Sequence, residues 1–311
     1  MSSPYNITLL AETDWLEEHL NDAEIRIVDL RYRPRGSGDR WVIGDDRAAY
    51  EAGHVPGAVF AESTRGFVAP RDDGTMPVAP PGQFAEFASR FGVGPDTLVV
   101  LYDDLPVPVA AARLWWTFRY YGHDRVKVLN GGFRKWRAEG RPLSTDVPSY
   151  APVAFVPRVR SHLRATKETL RAALGAPGTV IVDCMPSDMH AGQTPRPWGA
   201  RLGHIPGAVS VPWLTNVLPE EVAASNEARR RALAGDEVYS YRPAEELQRM
   251  YQTKGVTREK RVVTYCDLGY AAANGAFVLA LLGYEDIVVY DASFSEWSRD
   301  ENLPVESSIR H

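Results

Sequence analysis

Short apolar runs, separated by longer stretches with helical periodicity, make up most of the chain. The clearest runs are RIVDL at 26–30, LVVLY at 98–102, VIVDC at 180–184 and RVVTY at 261–265. None of them alternates apolar and polar residues, as a strand with one exposed face would. Such runs are typical of strands buried on both faces, as in a parallel sheet covered by helices. Residues 84–91 and 244–254 predict two of these covering helices, so the pattern favours an α/β fold.

The chain also contains an internal repeat. GHVPGAVF at 53–60 returns as GHIPGAVS at 203–210, and LVVLYDD at 98–104 returns as RVVTYCD at 261–267. A helical stretch and a further apolar strand follow in each half. Because the matched blocks stand in the same order, the sequence predicts a tandem duplicated α/β domain, each copy a parallel sheet covered by helices.

The boundary between the two copies is predicted at residues 144–158. Three prolines in this segment, Pro148, Pro152 and Pro157, suit an extended linker that crosses a surface. We therefore expect an N-terminal domain at 1–143 and a C-terminal domain at 159–311.

Composition and charge exclude several classes of function. The 311 residues are 44% hydrophobic and 24% charged, and the net charge of −5 argues against binding to nucleic acid. The longest apolar stretch, 271–282, is far shorter than the ~20 residues that span a bilayer. The N-terminus shows no secretion signal, and two cysteines in a chain of this length indicate a reduced, cytoplasmic protein.

The sequence offers no motif for a metal or a cofactor. Its seven histidines show no H-x-x-H or H-E-x-x-H spacing, and no C-x-x-C occurs. Glycine-rich nucleotide-binding motifs are also missing from the sequence. We therefore predict neither a metal nor a cofactor.

Cys266 is the strongest candidate for chemistry. It stands between the strand RVVTY and a predicted helix, at the sheet edge where ligands gather in parallel α/β folds. Backbone N–H groups at a helix N-terminus stabilise an anionic sulfur, so we expect a lowered pKa for this thiol. Gly269 would let the loop curl so that several amides converge on the sulfur. The alternative is a buried, inert cysteine.

The first copy lacks this chemistry. Asp103 and Asp104 stand where the second copy has Cys266 and Asp267, and a carboxylate cannot carry sulfur. Only the C-terminal domain is therefore expected to be catalytic.

A cysteine phosphatase would place an arginine six residues after the nucleophile, where this chain has Ala272, so phosphoryl transfer is disfavoured.

These motifs resemble the two-domain rhodanese-like sulfurtransferases, which include thiosulfate and 3-mercaptopyruvate sulfurtransferases. The resemblance rests on GH-x-PGA in both halves, YC-x-x-G-x-x-A at 265–272, the loop size from Cys266 to Ala271, and the blocks ending at Trp136 and Trp297. It implies that Cys266 takes a sulfane sulfur from a small-molecule donor as a persulfide and passes it to a thiol or protein acceptor. A sulfur-relay or binding module without turnover of its own is the alternative.

The sequence departs from the family pattern where the donor binds. Rhodaneses usually carry arginines two and six residues after the aspartate that ends the first strand of the catalytic domain. Met185 and Met189 occupy these positions here. Asp267 and Leu268 replace the basic residues that follow the cysteine in thiosulfate-using members. A further family arginine is matched by Arg196, with Arg201 as a second candidate.

The predicted substrate-binding residues follow from this comparison. They are Met185, Met189, Arg196, Asp267, Leu268, Gly269, Tyr270 and Ala271. Each lost charge-assisted hydrogen bond costs ~1.5–3 kcal/mol, so a dianion such as thiosulfate should bind weakly. We expect a 3-mercaptopyruvate-like donor, whose single carboxylate would be held by Arg196. The alternative is that the methionines are core residues and that Arg196 suffices to bind an ordinary donor such as thiosulfate.

Four further features of the sequence are His54, Asp45, Cys184 and the segment 220–243. The resemblance implies auxiliary roles for His54 and Asp45, although Leu268 replaces the serine with which they would act. Cys184 is expected to be a buried structural cysteine, with a resolving role for the Cys266 persulfide as the alternative. The charged insertion at 220–243 predicts a solvated helix and loop, with a docking surface as the alternative.

Overall fold

Two five-stranded parallel sheets form the framework within residues 6–35 and 42–308, which the computed structural model describes. The strands are β1 (Leu10–Ala11), β2 (Ile25–Asp29), β3 (Tyr32–Arg35), β4 (Val42–Asp45), β5 (Ala58–Phe60), β6 (Leu98–Tyr102), β7 (Val126–Leu129), β8 (Arg164–Ala165), β9 (Thr179–Asp183), β10 (Val209–Ser210), β11 (Arg261–Tyr265) and β12 (Ile287–Tyr290). Strands β3 and β4 pair separately, in antiparallel orientation. The apolar runs noted in the sequence are central strands of the two sheets.

The second sheet repeats the first strand by strand. The orders are β1-β7-β6-β2-β5 and β8-β12-β11-β9-β10, so every strand has its counterpart in the other half. Local hydrogen bonds repeat as well. Phe133 N donates to Asp103 O at 2.8 Å, and Phe294 N donates to Cys266 O at 2.9 Å. The predicted tandem duplication is confirmed.

Helices cover the two sheets, as the buried strands require. They are α1 (Thr13–Glu18), α2 (Arg47–Ala52), α3 (Pro81–Arg90), α4 (Val109–Tyr120), α5 (Gly132–Ala138), α6 (Lys167–Ala172), α7 (Ser187–His190), α8 (Glu220–Ala223), α9 (Asn226–Ala234), α10 (Ala244–Thr253), α11 (Tyr270–Leu281) and α12 (Ser293–Trp297). Short 3₁₀ turns lie at Ile7–Leu9, Ser63–Arg65, Ser161–Leu163 and Trp213–Asn216. Within the described part of the chain, no helix is both long and apolar enough to cross a membrane.

The two halves join through α4 and α11, which pack against each other. Trp115 of α4 meets Phe277 of α11 edge to face, with ring centroids 4.9 Å apart. All residues of α11 are buried, and a single apolar core continues from one half into the other. Because α11 begins directly after the Cys266 loop, the first half packs behind that loop.

The segment 144–158 contains no helix or main-sheet strand, although all of it lies in the described ranges. It runs along the first half, where Val153 N donates to Ser89 O at 3.2 Å and Arg158 N donates to Tyr121 O at 2.9 Å.

The insertion at 220–243 differs from its prediction as a solvated helix and loop. Helix α9 buries one face, including Ala228, Arg229 and Ala232. Arg134 of the first half donates from Nη1 to the carbonyl oxygens of Ala232 at 3.4 Å and Glu237 at 3.3 Å. The prediction of a solvated helix is therefore wrong for one face of α9, because small alanines let this charged helix pack closely against the rest of the protein.

Candidate active site

Cys266 lies at the carboxyl end of β11, one loop before α11. Gly269 occupies the N-cap position of α11 with a φ of +85°, a left-handed conformation that glycine adopts without steric cost. This conformation turns the loop back, so that Gly269 N donates to Cys266 Sγ at 3.0 Å. On the other side, Cys266 N donates to Ser293 Oγ at 3.2 Å. The loop therefore curls around the sulfur, as its Gly269 suggested.

Burial dominates the electrostatics of this thiol. Cys266 is only 3% exposed. Burial raises the pKa of Cys266 above its ordinary value, and the negative charge of Asp267 raises it further. Backbone N–H groups of Ala272, Leu268 and Gly269 act in the opposite direction. The expected lowering of the pKa by the helix N-terminus is thus outweighed, since the low-dielectric surroundings penalise the thiolate more than these amides stabilise it.

Asp267 is held in an ion pair. Arg196 donates from Nη1 to Asp267 Oδ1 at 3.0 Å, and from Nε to Gly203 O at 3.0 Å. Its Nη2 donates to Asp183 Oδ2. The guanidinium is buried and also stacks on the ring of Phe294, 4.3 Å from the centroid. The predicted role of Arg196 in holding a donor carboxylate does not fit this geometry, because its donors already tie β9, the Cys266 loop and the GH-x-PGA turn together.

A cavity of about 90 Å³ opens beside the sulfur. Its lining residues are Tyr32, Leu105, Val109, Met185, Trp198, Trp213, Arg229, Leu233, Cys266, Asp267, Leu268, Tyr270 and Ala271. The predicted residues Met185, Asp267, Leu268, Tyr270 and Ala271 are therefore brought together, with Gly269 in the adjoining loop. Residues of the first half, among them Tyr32 and Leu105, complete the wall.

Met189 and Arg201 lie away from this cavity. Met189 is 1% exposed on α7 and packs in the core. Arg201 donates to the carbonyl oxygen of the last residue of α12, Trp297, and to three carbonyl oxygens after that helix, those of Ser298, Asp300 and Leu303. Both residues have structural surroundings, and neither lines the cavity that the structure describes.

His54 and Asp45 have different surroundings from each other. The His54 ring is buried between two carbonyl oxygens, with Nδ1 2.9 Å from Tyr50 O and Nε2 2.9 Å from Asp146 O. These contacts fix the GH-x-PGA turn and place His54 outside the cavity wall. Asp45 accepts from Ser63 N at 3.2 Å. Burial raises the pKa of Tyr270, and the negative charge of Asp45 adds to this shift. Asp45 does not line the cavity.

Arg229 is the site residue that sequence reasoning missed. It lies on α9 and is the one basic residue among the cavity-lining residues of the described chain. Burial lowers the pKa of Arg229, and the charge of Asp267 opposes this shift, so the two side chains interact. Asn226, Arg229 and Leu233 recur at the three- and four-residue spacing of one helix face. That spacing was the available signal, but the charges around it indicated a solvated helix.

A second, larger cleft adjoins the first. It has a volume of about 720 Å³ and lies at the carboxyl edge of the first sheet, beside Arg31 and Asp104. Tyr32, Leu105 and Leu233 line both spaces. These three side chains therefore form the partition between the small cavity at Cys266 and the larger cleft. In residues 6–35 and 42–308, no cluster of three or more His, Cys, Asp or Glu side chains is suited to a metal ion.

Comparison with known families decides the identity. The model of the rhodanese-like domain matches this chain twice, over residues 12–139 and 166–300. The chain belongs to the rhodanese-like family. The matched segments contain four of the five strands of each parallel sheet, and the Cys266 loop lies in the second segment.

Curated relatives extend over nearly the whole length of this rhodanese-like protein. The sulfur carrier protein TtuD of Thermus thermophilus is 32% identical and matches 96% of each chain. Thiosulfate sulfurtransferase of Gallus gallus is 32% identical over 93% of this chain and 92% of its own. The 3-mercaptopyruvate sulfurtransferase of Escherichia coli is 30% identical over 96% and 98%. The prediction of a rhodanese-type sulfurtransferase is confirmed.

Solved structures show the same fold. Wild-type EanB superposes with a TM-score of 0.81 at 21% identity, covering all of this chain and 72% of that one. An anaerobic ergothioneine biosynthesis enzyme from Chlorobium limicola gives 0.79 at 22% identity, covering 97% and 71%. At this level of identity the likeness concerns the fold.

Proposed function

We propose that this rhodanese-like protein transfers a sulfane sulfur through a persulfide on Cys266. The observation that carries the proposal is the hydrogen bond from Gly269 N to Cys266 Sγ, at the junction of β11 and α11. An amide aimed at the sulfur stabilises negative charge there, both on the attacking thiolate and on the terminal sulfur of a persulfide.

The reaction consists of two displacements at sulfur. With 3-mercaptopyruvate, the Cys266 thiolate attacks the donor sulfur; an S–S bond forms and the donor C–S bond breaks. The bonding electron pair leaves on carbon as the pyruvate enolate, which takes up one proton. An acceptor thiolate or cyanide then attacks the outer sulfur of the persulfide. The S–S bond breaks, and its electrons return to Cys266 as the thiolate, so no external oxidant is needed.

The first domain is proposed to support the site without reacting. Asp103 fills the position that corresponds to Cys266, and its carboxylate accepts hydrogen bonds from Leu105 N at 3.1 Å, Ala110 N at 2.9 Å and Ala111 N at 3.1 Å. Burial raises the pKa of Asp103 to about 7. The Asp103 carboxylate therefore accepts the hydrogen bonds of amide groups that would otherwise stabilise an anionic sulfur in this copy.

The donor is proposed to be 3-mercaptopyruvate-like rather than thiosulfate. Met185 lies in the cavity wall where other rhodaneses usually carry an arginine, and Leu268 adds a second apolar surface. Desolvating a dianion in such surroundings is costly unless several cations offset it. A donor with a single carboxylate meets a smaller cost, so it should reach Cys266 more readily.

Steady-state kinetics with cyanide as the acceptor test the proposal. The wild-type protein should form thiocyanate with a higher kcat/KM for 3-mercaptopyruvate than for thiosulfate. Cys266→Ser should abolish turnover with both donors, whereas Cys184→Ala should retain most of it. Full activity in Cys266→Ser would refute the nucleophile, and a higher kcat/KM for thiosulfate would refute the donor preference.

A sulfur carrier that depends on a protein acceptor is the second candidate. Two observations favour it: the 32% identity to a protein named as a sulfur carrier, and the burial of Cys266, which limits access by small acceptors. In that case Cys266 would take up one sulfur per chain from the donor, but cyanide and small thiols would release it only slowly. Rapid multiple turnover with cyanide would exclude this candidate.

A further inference from the structure

Charged side chains surround the Cys266 loop in two groups: Arg196 with Asp183 and Asp267, and Arg113 with Asp291. Asp183 and Asp267 both bind Arg196, so that three-residue cluster carries one net negative charge when its carboxylates are ionised. A thiolate on Cys266 and an anionic donor would each add negative charge at the same place. Arg113 binds Gly269 O, Met76 O and Asp291 and does not line the cavity, so a cation in the cavity wall itself would favour binding of an anionic donor.

Arg229 supplies that cation. Its side chain lines the same 90 Å³ cavity as Cys266 and is 6% exposed. Burial raises the pKa of Asp267, and the positive charges of Arg196 and Arg229 oppose this shift. The outer carboxylate oxygen of Asp267, Oδ2, is buried and forms no hydrogen bond in the described residues.

Helix α9 is held so that Arg229 faces the cavity. Ser225 Oγ caps the helix by accepting from Ala228 N at 3.1 Å, and the Asp188 carboxylate accepts from Asn226 N at 3.1 Å. Asn226 Oδ1 accepts from Arg229 Nε at 2.9 Å, which orients the guanidinium. At the far end of α9, Arg134 of the first domain binds the carbonyl oxygens of Ala232 and Glu237.

We propose that Arg229 binds the anionic group of the sulfur donor and thereby takes over the role that the sequence suggested for Arg196. The inference rests on the proposed sulfur transfer and adds to it the class of donor: a small monoanion, with one carboxylate or a comparable group. The guanidinium of Arg229 can pair bidentately with one carboxylate of the sulfur donor. A second negative charge on the donor would be repelled by Asp267. The helix that brings Arg229 to the site is the 220–243 insertion, so this insertion determines donor affinity.

An isosteric pair of alkylating reagents tests the anion site independently of sulfur transfer. Iodoacetate carries one carboxylate and iodoacetamide is its neutral counterpart; both form an S–C bond with Cys266 and release iodide. In a Cys184→Ala background, the ratio of the two second-order rate constants measures attraction of an anion to Cys266. Arg229→Gln should lower this ratio about tenfold or more, because a charge-assisted hydrogen bond is lost. Arg229→Lys should retain a large part of it.

Kinetics on the same variants complete the test. Arg229→Gln should raise the KM for 3-mercaptopyruvate about tenfold or more with a much smaller change in kcat, whereas Arg231→Gln, an exposed arginine on the same helix, should leave both unchanged. An unchanged alkylation ratio in Arg229→Gln would overturn the inference, as would an equal effect of Arg231→Gln. A lowered ratio in a protein that transfers no sulfur would instead uphold the anion site and refute the proposed function.

Discussion

Arg113 of the first domain donates from Nη1 to the carbonyl oxygen of Gly269, 3.4 Å away in the Cys266 loop of the second domain. The Arg113 side chain is completely buried. Its Nη2 donates to Met76 O at 3.1 Å and pairs with Asp291 at 3.5 Å. The copy without a cysteine therefore holds the loop of the copy that has one.

Replacing Arg113 with methionine should weaken both the fold and the reaction. Removing one partner of a buried ion pair typically costs about 3–5 kcal/mol, and here Arg164 remains bound to Asp291 at 2.8 Å, so we expect the low end of that range. Loss of the contact to Gly269 should also lower kcat. Urea unfolding and steady-state kinetics measure the two effects.

The control for this variant is Arg119→Met on the same helix. Arg119 is partly exposed and pairs with Asp124 near the surface, where such pairs contribute about 0–1 kcal/mol. Equal losses of stability and activity in the two variants would contradict a special role for Arg113.

Gly269→Ala should inactivate the protein. An alanine Cβ at this position would lie 2.4 Å from Asp291 O and 2.3 Å from Arg113 Nη1, in addition to the strain of a left-handed φ. The loop must then move, and the amide of Gly269 would lose its contact with the sulfur. Turnover and the rate of persulfide formation should both fall by at least an order of magnitude, since the amide stabilises the anionic sulfur.

Gly255→Ala is the control that separates the effect of backbone strain from the effect of a changed Cys266 loop. Gly255 also has a left-handed φ, +76°, but its Cβ would meet only Lys260 Nζ at 3.9 Å. This variant should lose about 1–2 kcal/mol of stability and keep its activity. If Gly255→Ala loses as much activity as Gly269→Ala, the geometry of the Cys266 loop is not the cause.

The sequence was sufficient to predict the duplication, the central strands and the loop that carries Cys266. These depend on local signals: apolar runs, repeated motifs and a glycine between a strand and a helix. The structural roles of Arg196 and Arg229 depend instead on contacts between residues that are far apart in the sequence. Arg196 binds Asp267, 71 positions away in the sequence, and Arg229 reaches the cavity only because α9 packs against the rest of the protein. The contact of Arg196 leaves no periodic pattern in the chain, and the helix-face spacing of Arg229 does not show what that face packs against.

The pH dependence of Cys266 alkylation should show the effect of burial on the pKa of this thiol. Because burial and Asp267 raise the pKa of Cys266, its alkylation by iodoacetamide should keep accelerating beyond the pH at which an ordinary thiol is fully ionised. Asp267→Asn removes the neighbouring negative charge and leaves Arg196 in place. The pKa should then fall, and the whole curve should move to lower pH.

Asp96→Asn is the control for Asp267→Asn in the pH profile. Asp96→Asn removes an exposed carboxylate from the first domain and should leave the curve where it is. All measurements use the Cys184→Ala background. A curve that moves to higher pH in Asp267→Asn would show that the ion pair with Arg196 matters more for the thiol than the charge of Asp267.

Locating the transferred sulfur is the most direct test of the central claim. Cys184 is the only other cysteine, and its buried Sγ packs against Gly275 on α11, where a Cβ would come within 2.8 Å of it. After treatment with 3-mercaptopyruvate, intact-mass spectrometry and peptide mapping should find one added sulfur on Cys266 in the wild type and in Cys184→Ala, and none in Cys266→Ser. Added sulfur on Cys184, or a loaded Cys266→Ser protein, would contradict the account.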